Sequence, residues 1–394
     1  MTISLANRMQ AIKPSATHGL AAKVKQLQAA GKDIINLTIG EPDFDTPESI
    51  KEAARKALRD GFTKYTAVDG IPGLKQAIIH KLAHENQLNF EPAQIVVSNG
   101  VKQAIYNLAQ ALLNPGDEVI IPAPYWVSYP DMVQLADAKP VFVFAGIEQH
   151  FKITANQLAA AITPRTRMII LNSPNNPTGM AYSKTELRAL AEVLLRHPQI
   201  VIASDDMYEH ILWTKDPFVN ILNVCPELAN RTVVFNGVSK SYAMTGWRIG
   251  YAAGPKELIA GMINVQSQST SNPNSIAQVA AQAALTGDQA TVTDMCQSYK
   301  HRHEVVYAGF SAIKNVRCIP ADGTFYLFPS VQPLFASLPN IQSDSALVDY
   351  LLEKAGVAMM PGTPFGAPGY LRLSFVVSVE LLQEALRRIQ NALS

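Results

Sequence analysis

Six short stretches of the chain carry residue types able to do chemistry, and each stands at or within an apolar run. In SKSYAMTGWRIGY (239–251), Lys240 sits in a Ser/Gly-rich loop just past the run TVVFNG, and Arg248 follows eight residues later. A lysine there is either a surface cation or an amine that forms a Schiff base. Packed beside Tyr and Trp, it would be desolvated, and its pKa would fall toward the nucleophilic range. Arg248, placed on the next strand, could clamp a phosphate with its planar fork. In SDDMYEH (204–210), Asp205 is the first residue past the run IVIAS, with Tyr208 three further on. An aspartate at that point either caps a helix or holds a heteroaromatic nitrogen protonated. Strand alternation sends its neighbour Asp206 to the opposite side.

The other four stretches extend the list. NSPNNPTG (172–179) ends the run RMIIL. It is a rigid turn in which Asn175 or Asn176 could donate an amide hydrogen bond to a ring substituent. VSNGVKQA (97–104) is a strand-loop-helix junction. Gly100 permits an unusual backbone angle there, and the amides of Val101 and Lys102 open a helix, which suits a phosphate. Lys102 either neutralises charge at that point or is an ordinary first-turn lysine. APYWVSYP (123–130) offers Tyr125 and Trp126 for stacking on a planar ring or for core packing. In YLRLS (370–374), Arg372 alternates with apolar neighbours. A guanidinium so placed needs a partner, either a buried acid or a substrate carboxylate gripped bidentately. Jointly the six supply a lysine nucleophile, a partner for a pyridinium nitrogen, a phosphate arginine, a stacking ring and a carboxylate arginine. Pyridoxal phosphate chemistry requires such a set.

The elements that must position these residues are legible as alternating runs. Strands are expected at 94–98, 118–122, 140–144, 167–172, 200–205, 232–237 and 248–254, and helices at about 101–113 and 184–196. β-Branched runs without clean alternation, separated by helices, imply a mostly parallel sheet covered on both faces. Ligands then sit outside the carboxyl ends of the strands. After about residue 287 a long helix (289–313) leads to short strands VRCI, TFYLF, VAMM and YLRLS, with helices near 344–355 and 378–392. The expected division is residues 1–44 as an N-terminal segment joining the smaller domain, 45–287 as a large α/β domain, and 288–394 as a small α+β domain with a long connecting helix.

Composition narrows the function classes. At roughly 150 residues per domain, 394 residues suit two or three domains. A net charge of +1 gives no electrostatic footprint for nucleic acid or an anionic membrane. Charged residues are 16% and hydrophobic ones 48%, which favours a large core and surface covered by oligomerisation. Cys225, Cys296 and Cys318 are spaced for neither a disulfide framework nor a CxxC metal site. No run is long enough for a membrane span, and the N-terminus lacks a secretion signal, so a cytoplasmic location and no metal are expected. No strand is followed by GxGxxG, which disfavours a nicotinamide dehydrogenase.

GEPDF (40–44), KYTAVDGIPGLK (64–75), PYWVSYP, NSPNNPTG, SDDMYEH, SKSYAMTGWRIGY, GTFYLF (323–328) and YLRLS occur in the order seen in class I aminotransferases. The chain resembles that family over nearly its whole length, most closely the bacterial aspartate aminotransferases of subgroup Ib. The resemblance implies the fold type I architecture of pyridoxal phosphate transferases, with a smaller α+β domain, and pyridoxal 5'-phosphate as cofactor. Lys240 matches the lysine that joins covalently to the cofactor. Asp205 matches the ring-nitrogen partner, Tyr208 and Asn176 the donors to the phenolic oxygen, and Trp126 the stacking aromatic. Arg248 and the Val101 and Lys102 amides match the phosphate site. Tyr65 matches a tyrosine that reaches the neighbouring subunit's phosphate, implying a homodimer with shared sites. Arg372 matches the grip on the substrate α-carboxylate, with the Gly40 backbone nearby. Lys102 falls where subgroup Ib places a lysine for the side-chain carboxylate of aspartate or glutamate. The better-known subgroup uses an arginine from elsewhere, and the corresponding loop here, SQSTSNPNS (267–275), has none.

The implied activity is ping-pong transamination between amino acids and 2-oxo acids, with aspartate and 2-oxoglutarate first in line. Prephenate is a further candidate, with Lys13 able to reach its second carboxylate. Aromatic, alanine and methionine aminotransferases, a pyridoxal phosphate β-lyase and a non-catalytic regulator that binds the cofactor remain alternatives. Two departures stand out. Asp206 replaces the glutamate common after the anchor aspartate, and Asn99-Gly100-Val101 replaces a more glycine-rich phosphate loop.

Overall fold

The computed structural model describes residues 3–10, 12, 16–338 and 340–393. Seven strands form the main sheet: β2 (Ile95–Ser98), β3 (Glu118–Ala123), β4 (Lys139–Phe144), β5 (Thr166–Asn172), β6 (Val201–Asp205), β7 (Thr232–Gly237) and β8 (Gly250–Ala253). Their spatial order is β2-β8-β7-β6-β5-β3-β4. β8 runs antiparallel to both its neighbours, and the other pairings are parallel. The mostly parallel sheet read from the sequence is therefore present.

Side-chain alternation explains why these runs look uniformly apolar. Along one strand, successive residues face opposite sides. Val96, Ile121, Ile170, Ala203 and Phe235 enter one core, while Ile95, Val97, Ile120, Ile169, Ile202 and Val234 enter the other. Helices cover both faces, so β2, β6 and β7 are buried at every position. β4, at the sheet edge, leaves Phe142 and Phe144 half-exposed.

A second body of structure carries small sheets. β9 (Tyr326–Leu327), β11 (Met360–Pro361) and β12 (Leu371–Ser374) form an antiparallel sheet in the order β11-β12-β9. β1 (Ile35–Asn36) pairs in parallel with β10 (Val357–Ala358), so a strand from near the N-terminus lies beside one from near the C-terminus. The helix Ala290–Ser311 packs against Val379–Leu393.

Five expectations need adjustment. Arg248 is not on a strand: it follows the turn Thr245–Trp247 with φ +57°, and β8 begins only at Gly250. VRCI forms only the single bridge Arg317–Ser330. VAMM divides into two two-residue strands with different partners, and TFYLF contributes only Tyr326–Leu327 to a sheet. The long helix is shorter than expected and is preceded by a separate helix, Ser275–Thr286.

Gly250 is the tightest point between β8 and the loop before the helix Val101–Leu112. A Cβ there would stand 2.6 Å from the Gly100 carbonyl carbon. Gly250→Ala is expected to cost about 1–3 kcal/mol through overpacking, read as a lower urea midpoint in equilibrium unfolding.

Candidate active site

The parallel strands β5, β6 and β7 deliver Asn172, Asp205 and the loop carrying Lys240 to one end of the sheet. Asn172 stitches these ends together. Its Nδ2 donates to the Asp205 carbonyl (2.9 Å), and its Oδ1 accepts from the Asn176 amide (2.9 Å). Asp205 is buried. Tyr129 donates to its Oδ2 at 2.6 Å and the Met207 amide to its Oδ1 at 3.2 Å. Burial pushes the carboxyl up to about 6, with those two donors working in the opposite direction. Among the described residues, no Lys, Arg or His forms an ion pair with it. Asp206 points away, as alternation requires, and accepts from Ser204 (2.8 Å) and Asn220 (2.5 Å).

The Lys240 amine donates to the Gly40 carbonyl at 2.6 Å and lies 6.0 Å from the Phe325 ring centroid. Desolvation pushes it down to about 8. Glu41 opposes that shift, and the cations Arg248, Arg372 and Lys102 add to it. The expected Tyr and Trp neighbours do not supply the apolar surroundings. Tyr242 bonds Gln289 (2.8 Å) and Trp247 bonds Thr46 (3.0 Å). Residues close in sequence around a loop lysine project in different directions, and the covering groups come from segments 200 residues before and 85 after.

Amides and one guanidinium mark an anion site at one end of the cleft. Gly100, at φ +81°, lets the chain enter the helix Val101–Leu112, whose first amides have no partner within the helix. A Cβ on Gly100 would overlap the Arg248 guanidinium, which donates to Thr245 O (2.8 Å) and Asn99 O (3.3 Å). Ser239 is buried beside it. The Lys102 amine lies 5.0 Å from the Trp126 ring centroid.

At the other end Arg372, on β12, is buried between the faces of Tyr326 (4.6 Å) and Phe365 (4.9 Å). It donates to Thr38 O (2.8 Å) and Asn176 Oδ1 (3.2 Å), and its Nε has no partner. Among the described residues no Asp or Glu pairs with it, so a buried acid is not what satisfies Arg372. The Tyr208 hydroxyl meets that of Tyr326 at 3.1 Å.

These groups line one cleft of about 850 Å³ including its mouth. It gathers Gly40, Val101, Lys102, Trp126, Asn176, Asp205, Tyr208, Lys240, Arg248 and Arg372. Tyr125 and Asn175 fall outside it, on a smaller cavity behind. Tyr65 is 92% exposed and away from the cleft, and Lys13 lies outside the described residues. Tyr129, Asn172, Ser239, Thr245 and Tyr326 line the cleft without having been singled out. Each sits inside a stretch quoted above, but type and spacing did not set it apart from its neighbours. Chemically the cleft offers an amine whose pKa is lowered to about 8, a carboxylate able to hold a cationic ring nitrogen, an anion cradle and a guanidinium with an unsatisfied Nε.

Comparison with known proteins agrees with this chemistry. The family model of class I and II aminotransferases matches residues 32–389. A relative from Nitrosomonas europaea, named an aspartate/prephenate aminotransferase, is 56% identical over 100% of both chains. Among solved structures, the aspartate aminotransferase of Rhizobium meliloti is 46% identical, covers 100% of this chain and 99% of its own, and has a TM-score of 0.96. That of Thermus thermophilus with maleate is 43% identical, covers 99% and 100%, and has a TM-score of 0.93.

In the ligand-free protein, competitive labelling with an amine-selective reagent, read by peptide mass spectrometry, is expected to give Lys240 a reactivity midpoint near pH 8. A midpoint near the ordinary lysine value of 10.5 would show that the amine is solvated.

Proposed function

The chain belongs to the class I and II aminotransferase family, and from that premise we propose that it exchanges the amino group of L-aspartate with 2-oxoglutarate on pyridoxal 5'-phosphate, giving oxaloacetate and L-glutamate. The single observation that carries the reading is the buried Arg372, with a free Nε and no acid, in the same cleft as the desolvated Lys240 and the buried Asp205.

The residues fit that cofactor. Its phosphate would lie on the Val101 and Lys102 amides and Arg248, where the backbone of Gly100 makes room. Trp126 would stack on the ring, and Tyr208 and Asn176 would donate to its phenolic oxygen. Asp205, buried without a cationic side chain, would gain one in the protonated ring nitrogen, and its carboxyl would fall back toward the ordinary range. Tyr65, projecting from the surface, would reach the phosphate of a partner subunit, so we propose a homodimer with shared sites, working in the cytoplasm. No helix among the described residues is long and apolar enough to cross a membrane.

When bound, the cofactor supplies an electron sink for the charge that develops at the substrate Cα. Lys240 accepts the proton leaving Cα, a task suited to an amine whose pKa is lowered to about 8 from the ordinary lysine value. Arg372 grips the α-carboxylate through the fork that its present partners leave open, and the Gly40 backbone holds Lys240 beside it. Lys102, at the cleft mouth near Trp126, pairs the side-chain carboxylate of aspartate or 2-oxoglutarate. Donor and acceptor use the same groups in turn, so the kinetics are ping-pong. Arg372 comes from the small sheet (the proposed smaller unit being residues 288–394 with 1–44) and Lys240 from the main one. Closure of one on the other would exclude water when both carboxylates are held.

Prephenate is the second reading, favoured by the name of the Nitrosomonas relative. Lys13 is the residue proposed for its second carboxylate.

Reconstitution with pyridoxal 5'-phosphate is expected to give a visible absorbance band that changes when aspartate is added. Lys240→Ala should lower kcat by about 10⁴-fold, the upper end for a proton-transfer group, with the fold intact by circular dichroism. Lys102→Ala should reduce kcat/KM for aspartate by about 10–100-fold, the worth of one charge-assisted pair, and leave alanine nearly unaffected. Equal losses for both amino acids would overturn the dicarboxylate reading, and absence of a band would overturn the cofactor.

A further inference from the structure

We infer that Tyr326 is a positioning residue that sets two functional side chains from one place, Arg372 through its ring face and Tyr208 through its hydroxyl. The inference rests on the reading of the cleft as a pyridoxal phosphate site and deepens it.

The ring contact follows from strand register. Tyr326 on β9 stands opposite Ser374 on β12, and Arg372 is two residues along the same face. Diagonal neighbours of this kind lie within reach of an aromatic and a long side chain. The Arg372 guanidinium carbon is 4.6 Å from the Tyr326 centroid, and Phe365 closes the other face at 4.9 Å. A guanidinium held between two rings makes hydrogen bonds only in its own plane. Thr38 O and Asn176 Oδ1 take two of those directions. The Nε direction is left open, so the rings fix the plane in which a carboxylate must arrive.

The hydroxyl contact follows from donor arithmetic. The Tyr208 and Tyr326 hydroxyls are 3.1 Å apart, so one donates to the other. A phenol has a single proton to give. For Tyr208 to donate to the cofactor's phenolic oxygen, Tyr326 must donate to Tyr208. That arrangement also strengthens Tyr208 as a donor, because linked hydrogen bonds polarise one another. The charged groups around the pair are Arg372, which faces both phenols, and Asp205, which acts on Tyr208.

The backbone ties the two tyrosines together. Thr324, a β-branched residue, is held at φ +67°, a conformation such residues rarely adopt. Its amide donates to Ile211 O at 2.7 Å, and its hydroxyl accepts from the Tyr326 amide at 3.1 Å. Gly323 lies so close to this segment that a Cβ would stand 3.1 Å from Leu212 Cα. The strand bearing Tyr326 is thus pinned to residues 211–212, three and four positions after Tyr208.

The test uses the full chain loaded with pyridoxal 5'-phosphate and reads absorbance rather than turnover. Tyr326→Phe keeps the ring and removes the proton donor. The pH midpoint of its visible band is expected to rise by about half a unit or more, because a weaker Tyr208 donor leaves the cofactor holding its proton to higher pH. Maleate affinity, titrated on the same band, should stay within about threefold in Tyr326→Phe and fall about tenfold or more in Tyr326→Leu, which removes the ring face. The double variant Tyr208→Phe/Tyr326→Phe should have the midpoint of Tyr208→Phe alone. An unmoved midpoint in Tyr326→Phe, or a shift that adds in full to that of Tyr208→Phe, overturns the inference while the wild-type band stands. A wild-type protein with no band overturns the cofactor reading and this inference with it. Maleate affinity within threefold of wild type in Tyr326→Leu overturns the ring half; if that variant does not fold, Tyr326→Met removes the same ring and is read in the same way.

Discussion

The cleft is organised around charge that is buried without a counter-charge. Arg372 is enclosed by two aromatic faces with its Nε unsatisfied, Asp205 is buried with no cation beside it, and the Lys240 amine is stripped of water. Each costs free energy in an empty protein. A ligand presenting a carboxylate, a protonated ring nitrogen and an aldehyde would relieve all three. The substrate class is therefore written less in any single side chain than in the pattern of what the side chains lack.

That pattern depends on a rigid frame. Parallel strands buried on both faces bring β5, β6 and β7 to a common edge, and Asn172 at the end of β5 bonds the end of β6 and its own following loop. The second edge of the cleft is built by β9 and β12, whose antiparallel register puts Tyr326 diagonally beside Arg372. The two edges are joined by bonds that include Arg372 to Asn176, Tyr208 to Tyr326 and Thr324 to Ile211.

Local backbone freedom matters at two points of this frame. Gly100 must be glycine because a side chain there would occupy the Arg248 guanidinium's place, and its positive φ lets the helix amides face the same region. Arg248 itself adopts a left-handed conformation at the end of a turn. The sequence pattern, which favoured a strand at RIGYAAG, had no means of showing that the run starts two residues late.

The seven strands of the main sheet, its mostly parallel character and the stretches bearing Lys240, Asp205, Arg248 and Arg372 were determined by sequence alone, whereas helices such as Glu48–Arg59 and Ser275–Thr286 were not. Apolar runs and their punctuation are local signals, and the chemistry of those residue types does not depend on distant neighbours. The tertiary structure decided everything that depends on which distant groups meet. Lys240 is desolvated by Phe325 and the Gly40 backbone, not by its chain neighbours Tyr242 and Trp247. Asp205 receives its proton donor from Tyr129, and Arg372 has aromatic faces where an acid was one of two expectations. Hydrogen bonds and desolvation act over a few ångströms between residues tens to hundreds of positions apart, and only the folded chain fixes those distances.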